Sequence, residues 1–224
     1  MSASVAKRYD QAGVCKSGSD SGGERSKRMR PRLILASASP RRRHLLLDAG
    51  YDFEIDPSRF DEPSHEGTLP PFAYCANLAF HKALEVAERR RSGLILAADT
   101  IGVVDREVLN KPAGRDDAER MIRIQEGRDS EVLTAICLFQ AATREWVGTV
   151  ETTVIHFRNL TDPERTEFLD SNRWMGKAGA YGLQDGDPFL SIVSGTFSNV
   201  VGLPMERLAR LLRDHPSLVI GESR

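Results

Sequence analysis

The stretch Leu33-Ile-Leu-Ala-Ser37-Ala-Ser39-Pro40-Arg41-Arg42-Arg43 sends an apolar strand directly into a helix start crowded with guanidinium groups. Ser39 has N-cap chemistry, and Pro40 suits the first helical position because its missing N–H would be unpaired there anyway. Leu45-Leu46-Leu47 gives the helix an apolar side, and Gly50 closes it, so a strand over 32–37 is followed by a helix over 40–49. The free N–H groups and positive dipole end of such a helix attract anions, and three arginines add forked donors shaped for phosphate oxygens. The junction predicts a site for a phosphorylated ligand. Taken alone, the same residues also suit a solvated basic face.

With 224 residues, 40% apolar and 28% charged, the chain can bury a full core as one large domain or two small lobes. Its 31 basic and 32 acidic side chains leave a net charge of -1, which argues against a nucleic-acid polymer as partner, since such binders carry a basic excess. Local basic clusters must then serve something small. Cys15, Cys75 and Cys137 are odd in number and far apart, so neither a disulfide framework nor a zinc site is indicated, and a reducing cytoplasm fits. No apolar run reaches the roughly 18 residues of a membrane span, so no membrane role is expected. Residues 1–30, rich in Ser, Gly, Lys and Arg, read as a disordered tail without a secretory signal, ahead of a domain over 31–224. Met29, just before the first strand, is a candidate start; the intact mass of the native protein tests this, and a species beginning at Ser2 would end the idea.

Further along, Tyr51-Asp-Phe-Glu-Ile-Asp56 alternates like a short half-buried strand. After Pro70-Pro71, the spacing of Phe72, Cys75, Leu78, Ala79, Ala83, Val86 and Ala87 is helical, which places Asn77, His81, Lys82 and Glu85 on the flanks, with Gly93 ending the segment. Leu94-Ile-Leu-Ala-Ala98 reads as a central strand delivering Asp99-Thr100 at its end, followed by a hairpin through Asp105-Arg106. A helix over 116–125, an antiparallel pair over 131–139 and 146–157, a capping box at Thr161-Asp-Pro-Glu164 and a last helix over 205–212 complete the pattern. Strict βαβ alternation is absent, so a mixed sheet in an α/β or α+β fold with a cleft is expected.

Asp99 stands where a rigid backbone can project a carboxylate into a cleft, although an ordinary strand-end Asp looks the same. Glu62 has a similar, weaker position. Converging, the two would make a hard oxygen site for Mg2+, which keeps several waters and shares its remaining positions with phosphates. Lys82 and Lys111, usually surface types, could with Arg41 and Arg42 surround a triphosphate. Gln184 lies in the glycine-spaced run over 176–186, where an amide could read a base edge, and Tyr181 could stack on a base or pack in the core. The phosphate-loop, dinucleotide, zincin and nucleophile-elbow patterns are absent from the sequence.

The segments Leu35-Ala-Ser37-Ala-Ser39-Pro40-Arg41-Arg42, Asp61-Glu62, Leu78-Ala79 with Lys82-Ala83, Ala98-Asp99-Thr100, Lys111-Pro112, the run Lys177 to Gln184, and Ser198 to Pro204 occur in an order that resembles the Maf-like nucleoside triphosphate pyrophosphatases. That family is related in fold to the inosine triphosphate pyrophosphatases. The resemblance implies an elongated mixed sheet flanked by helices, in two lobes with a central cleft. It further implies cleavage between the α and β phosphates of a nucleoside triphosphate with Mg2+ or Mn2+, and it allows a homodimer. Asp99 is implied as proton acceptor and, with Glu62, as metal ligand; Lys82, Lys111 and Arg42 as phosphate holders; Ser37, Ser39, Arg41, Thr100 and Gln184 as further substrate-binding residues. Arg41, Thr100 and Gln184 look like the branch acting on dTTP and UTP rather than the one acting on 7-methyl-GTP. Asn110, Ala135 and Asp185-Gly-Asp-Pro188 depart from the family pattern near the pocket, which bears on substrate preference. A nucleotide-binding regulator of septum formation without catalysis is the rival from another class, and metal-dependent pyrophosphate release separates the two.

Overall fold

The computed structural model describes residues 32–220 apart from 184, 185 and 187. The tail over 1–30 and Gln184, on which two of the expectations above fall, lie outside the described residues. One seven-stranded mixed sheet organises the chain. β1 (Leu33–Leu35) leads into α1 (Pro40–Asp48), β2 (Phe53–Ile55), the long α2 (Pro71–Arg90), β3 (Leu94–Val104), β4 (Glu107–Leu109) and α3 (Arg115–Gln125). β5 (Arg128–Gln140), β6 (Trp146–Phe157), α4 (Asp162–Asp170), β7 (Leu190–Ser194), α5 (Phe197–Val201), α6 (Met205–Asp214) and α7 (Pro216–Ile220) follow. The strand order is β2-β1-β3-β5-β6-β7, with β4 paired to β3. β1 runs parallel to both neighbours, and the pairs from β3 onward are antiparallel.

Alternation along β3 divides the core, because successive side chains leave a strand on opposite faces. Ile95, Ala97, Ile101 and Val103 face α2, where Cys75, Leu78, Ala79, Ala83 and Val86 meet them. Leu94, Leu96 and Ala98 face the other way and pack with Leu45 and Leu46 of α1 and Leu208 and Leu211 of α6. A third apolar cluster, around Met121, Ile122, Phe157 and Phe168, holds α3 and α4 at the far end of the sheet. The capping box forms as expected: Thr161 Oγ1 accepts from the Glu164 N–H while the Glu164 carboxylate accepts from the Thr161 N–H.

The expected strand over 94–98 is corrected in a way that matters. β3 continues through Asp99 to Val104, so Asp99 sits inside the strand, opposite Ala135, rather than at its end. The apolar run stops at Ala98, but pairing with β5 carries the strand on. On the other side of β3, β1 pairs only with 94–96 and β4 only with 102–104. Between those partners the edge of β3 is open, and this gap is the cleft.

Candidate active site

Asp99 and Thr100, adjacent in the open part of β3, point to opposite faces of the sheet. On the α2 face, Lys82 Nζ donates to Asp99 Oδ1 at 2.5 Å and lies 2.8 Å from Glu62 Oε1. One ammonium therefore bridges the two carboxylates. Lys82 and Asp99 are buried while Glu62 is half-exposed in the loop before α2. Lys82 is not on the helix flank, as the sequence reading had it; it lies one turn from Leu78 and Val86 on the buried stripe of α2. A lysine is stable there because it is paired.

On the other face, Arg42 is fixed by acceptors from three segments. Its Nε donates to the Gly202 carbonyl at 2.8 Å, Nη1 to Ser37 Oγ at 3.0 Å and Nη2 to Thr100 Oγ1 at 3.1 Å. These bonds leave one N–H on each terminal nitrogen for a ligand. Arg41 Nη2 donates across the cleft to the Gly176 carbonyl at 3.1 Å. Ser39 stands at the N-cap, but its hydroxyl makes no capping bond; its own N–H donates to Ser37 Oγ, and the first N–H groups of α1 are not capped by it. Arg43, counted among the anion-binding arginines on sequence grounds, is exposed and absent from the cavity lining.

Ser37, Ser39, Arg41, Arg42, Glu62, Lys82, Asp99, Thr100 and Lys111 all line one cavity of about 530 Å³, which curls over the open edge of β3. Half-burial raises the Glu62 carboxyl's pKa, but the hydrogen bond from Lys82 and the charges of Lys82, Lys111 and Arg42 outweigh it and hold the group below its usual range. Desolvation lowers the pKa of both arginines; beside Arg42 the charge of Asp99 works the other way. Asp99 and Glu62 supply two hard oxygen donors, and no group of three or more His, Cys, Asp or Glu suited to a metal occurs among the described residues. Two carboxylates are enough for Mg2+, which takes its other oxygens from water and phosphate.

Sequence reasoning missed several lining residues. Tyr74 donates its hydroxyl to the Pro63 carbonyl at 2.8 Å, tying the loop of Glu62 to α2, and Asn110 lines the same cavity. Tyr74, Leu78 and Lys82 follow at intervals of four, a helical stripe that could have found it. Lys177 is buried in the wall, and its place in the quoted motif was the only signal. Tyr181 touches the cavity, but its ring packs edge-on against Phe157 and burial pushes its hydroxyl pKa up, so the core reading of this residue is the one the structure supports.

A family model described as Maf-like protein matches residues 32–215. A dTTP/UTP pyrophosphatase of Rhodopirellula baltica is 46% identical over 187 residues, covering 81% of each chain. One from Anaeromyxobacter dehalogenans is 44% identical over 188 residues, covering 83% of this chain and 94% of the relative. Another, from Bdellovibrio bacteriovorus, is 40% identical over 190 residues, covering 82% and 98%. With the match spanning the whole sheet and every segment that lines the cleft, the chain belongs to the Maf-like family.

Proposed function

We propose that this protein hydrolyses dTTP and UTP, and modified pyrimidine analogues of them, to the nucleoside monophosphate and pyrophosphate. The observation that carries the reading is Lys82 held between Asp99 and Glu62 in a cavity that also presents Arg42 and Lys111. The names of the relatives agree with it.

In this reading Arg42 and Lys111 bind phosphate oxygens, Arg42 holding the polyphosphate in place and Lys111 drawing charge toward the leaving pyrophosphate. Lys82 fixes Oδ1 of Asp99, so that Oδ2 is the atom that takes the proton of the attacking water. The new bond joins that water's oxygen to the α phosphorus; the bond that breaks runs to the bridging oxygen, whose electrons leave with pyrophosphate. A divalent cation, Mg2+ or Mn2+, held by Asp99 and Glu62 would acidify water and neutralise phosphate charge. Ser37, Ser39, Arg41 and Thr100 complete the substrate contacts, and Gln184 is proposed to read the base.

Residues 31–224 are proposed to act as one domain. A cytoplasmic setting is proposed because Cys75 and Cys137 are free, buried thiols, and no helix of the described residues is long and apolar enough to cross a membrane. No nucleic-acid polymer is proposed as partner, and a homodimer is compatible with the reading. The deciding experiment is a panel of dTTP, UTP and 7-methyl-GTP assayed for pyrophosphate with Mg2+ and with chelator, using wild type and Asp99→Asn. Metal-dependent release from the pyrimidine substrates, lost in the folded variant, is expected. Release by Asp99→Asn at the wild-type rate refutes the role of Asp99; a preference for 7-methyl-GTP refutes the substrate; no release from any nucleotide leaves the regulator.

A further inference from the structure

Behind Thr100, away from solvent, lies a chain of hydroxyls whose polarity the geometry determines. Thr134 is fully buried on β5, directly opposite Thr100 on β3. Its Oγ1 donates to the Asn199 carbonyl at 2.9 Å and stands 3.0 Å from Thr100 Oγ1. A carbonyl can only accept, so the single Thr134 proton is committed to Asn199. In the contact between the two threonines, Thr134 must therefore accept and Thr100 donate. Thr100, its proton spent, must accept from its remaining neighbour, and Arg42 can only donate. All bonds run one way, from Arg42 through Thr100 and Thr134 to the Asn199 carbonyl.

The far end of this chain is itself held. Asn199 is wholly buried, and its Nδ2 donates to the Val132 carbonyl at 3.0 Å and to Thr153 Oγ1 at 2.9 Å. The acceptor that orients the relay is thus anchored to β5 and β6. At the near end, Gly202 supplies the carbonyl for Arg42 Nε. A Cβ at Gly202 would stand 3.2 Å from Thr100 Oγ1, so the packing around the first two members is close.

We propose that Thr134 is a positioning residue for phosphate binding: its hydroxyl, acting through Thr100, sets the plane of the Arg42 guanidinium and so aims the remaining N–H fork into the cleft. The proposal rests on the phosphate-binding role given to Arg42 above. Thr134 meets no substrate. Reversal or loss of its hydroxyl leaves the Thr100 proton without a buried acceptor, so the Thr100 hydroxyl is free to rotate and its lone pair is no longer held toward Arg42.

Thr134→Val, Thr134→Ser and a control, Cys137→Ala, are compared with wild type. The control removes a buried side chain from the same strand on the opposite face. Steady-state kinetics on dTTP are read beside calorimetric binding of pyrophosphate with Mg2+, which needs no turnover. For Thr134→Val, KM and the pyrophosphate dissociation constant are expected to rise about tenfold, the scale of a weakened charge-assisted hydrogen bond. Its kcat is expected to stay within about threefold, because the fork binds ground and transition states alike. Thr134→Ser, which keeps the hydroxyl, returns both constants to within about threefold of wild type, and Cys137→Ala lowers the melting temperature without moving either. If Thr134→Val does not fold, Thr134→Cys, whose thiol is a poor hydrogen-bond partner, carries the same comparison. Wild-type constants in the valine or cysteine variant, or a serine variant as impaired as valine, overturn the proposal. A wild-type protein that binds pyrophosphate but releases none from dTTP overturns the hydrolase reading instead, and the binding comparison still decides Thr134.

Discussion

Replacing Lys82 by Met tests the centre of the site through stability alone. The side chains of Lys82 and Asp99 are 11% and 8% exposed, whereas Glu62 is 43% exposed. Removing one partner of a buried ion pair costs about 3–5 kcal/mol, because the charge left behind is no longer compensated. Arg42 lies near enough to Asp99 for its charge to be felt, which favours the lower end of that range. Glu62, better solvated, adds less than about 1 kcal/mol, as exposed pairs do. The expected loss for Lys82→Met is therefore about 3 kcal/mol, or about 6–12 °C in melting temperature for a chain of this size. The informative comparison is the double variant Lys82→Met with Asp99→Asn. It leaves no orphan charge, so it should regain at least half of what the single variant lost, about 1.5 kcal/mol. Melting is followed without divalent cations, so that the ammonium is the only added compensation for the carboxylates. A single variant melting within about 2 °C of wild type, or a double variant no more stable than the single, would refute the claim that Lys82 compensates a buried Asp99.

Three other outcomes are expected. The Glu62 carboxyl titrates below its ordinary 4.5, so it contributes stability above that pH that is lost as pH falls through the folded-state value. Urea midpoints of wild type and Glu62→Gln should therefore differ near neutrality and converge as the pH falls below the folded-state value; a constant gap contradicts the pairing. Gly202 has φ +111°, so Gly202→Ala should cost about 1–3 kcal/mol of backbone strain. Its Cβ would also stand a tight 3.2 Å from Thr100 Oγ1, the hydroxyl that accepts from Arg42, and a wild-type KM for dTTP would show that Arg42 does not depend on that close approach. Burial pushes the thiol pKa of Cys137 up to about 12 and that of Cys75 higher still, so both should resist iodoacetamide near pH 8 until the protein is unfolded. Labelling of either in the native state would contradict their burial.

Much of this fold is legible residue by residue. β6 begins and ends where its β-branched run does, and α1 starts at Pro40 as the strand-to-helix junction requires. The long helix ends earlier than Gly93 suggests, because Arg91 takes the left-handed conformation at φ 59° and closes it first. Partners were harder to read than elements. The apolar run of β3 stops at Ala98, yet β5 pairs with it as far as Val103, so the length of the strand is a tertiary property. Lys82 looks like a flank residue until Asp99 and Glu62 are brought to it. Thr134 gave no chemical signal of its own, since its role exists only through the hydroxyl opposite. Charge-bearing residues advertise a site in one dimension; the groups that orient them do so only once strands are in register.

Register is what lets one strand serve two kinds of chemistry. Asp99 and Thr100 are neighbours in sequence but belong to opposite faces, so β3 sends the carboxylate to Lys82 and the hydroxyl to Arg42. A slip of one residue would exchange them, burying Asp99 against the face of Leu96 and Ala98 and leaving Lys82 without its acid. Pairing of Asp99 with Ala135 and of Thr100 with Thr134 opposes such a slip, because each partner suits only the face it has. Ala135 and Ala97 are small, as are Cys75, Ala79 and Ala83 on α2, so the helix lies close enough for the Cys75 thiol to reach the Asp99 carbonyl at 3.4 Å. A larger residue at 135 would push α2 outward, and Lys82 would lose its reach to Asp99 before any part of the cavity itself had been altered.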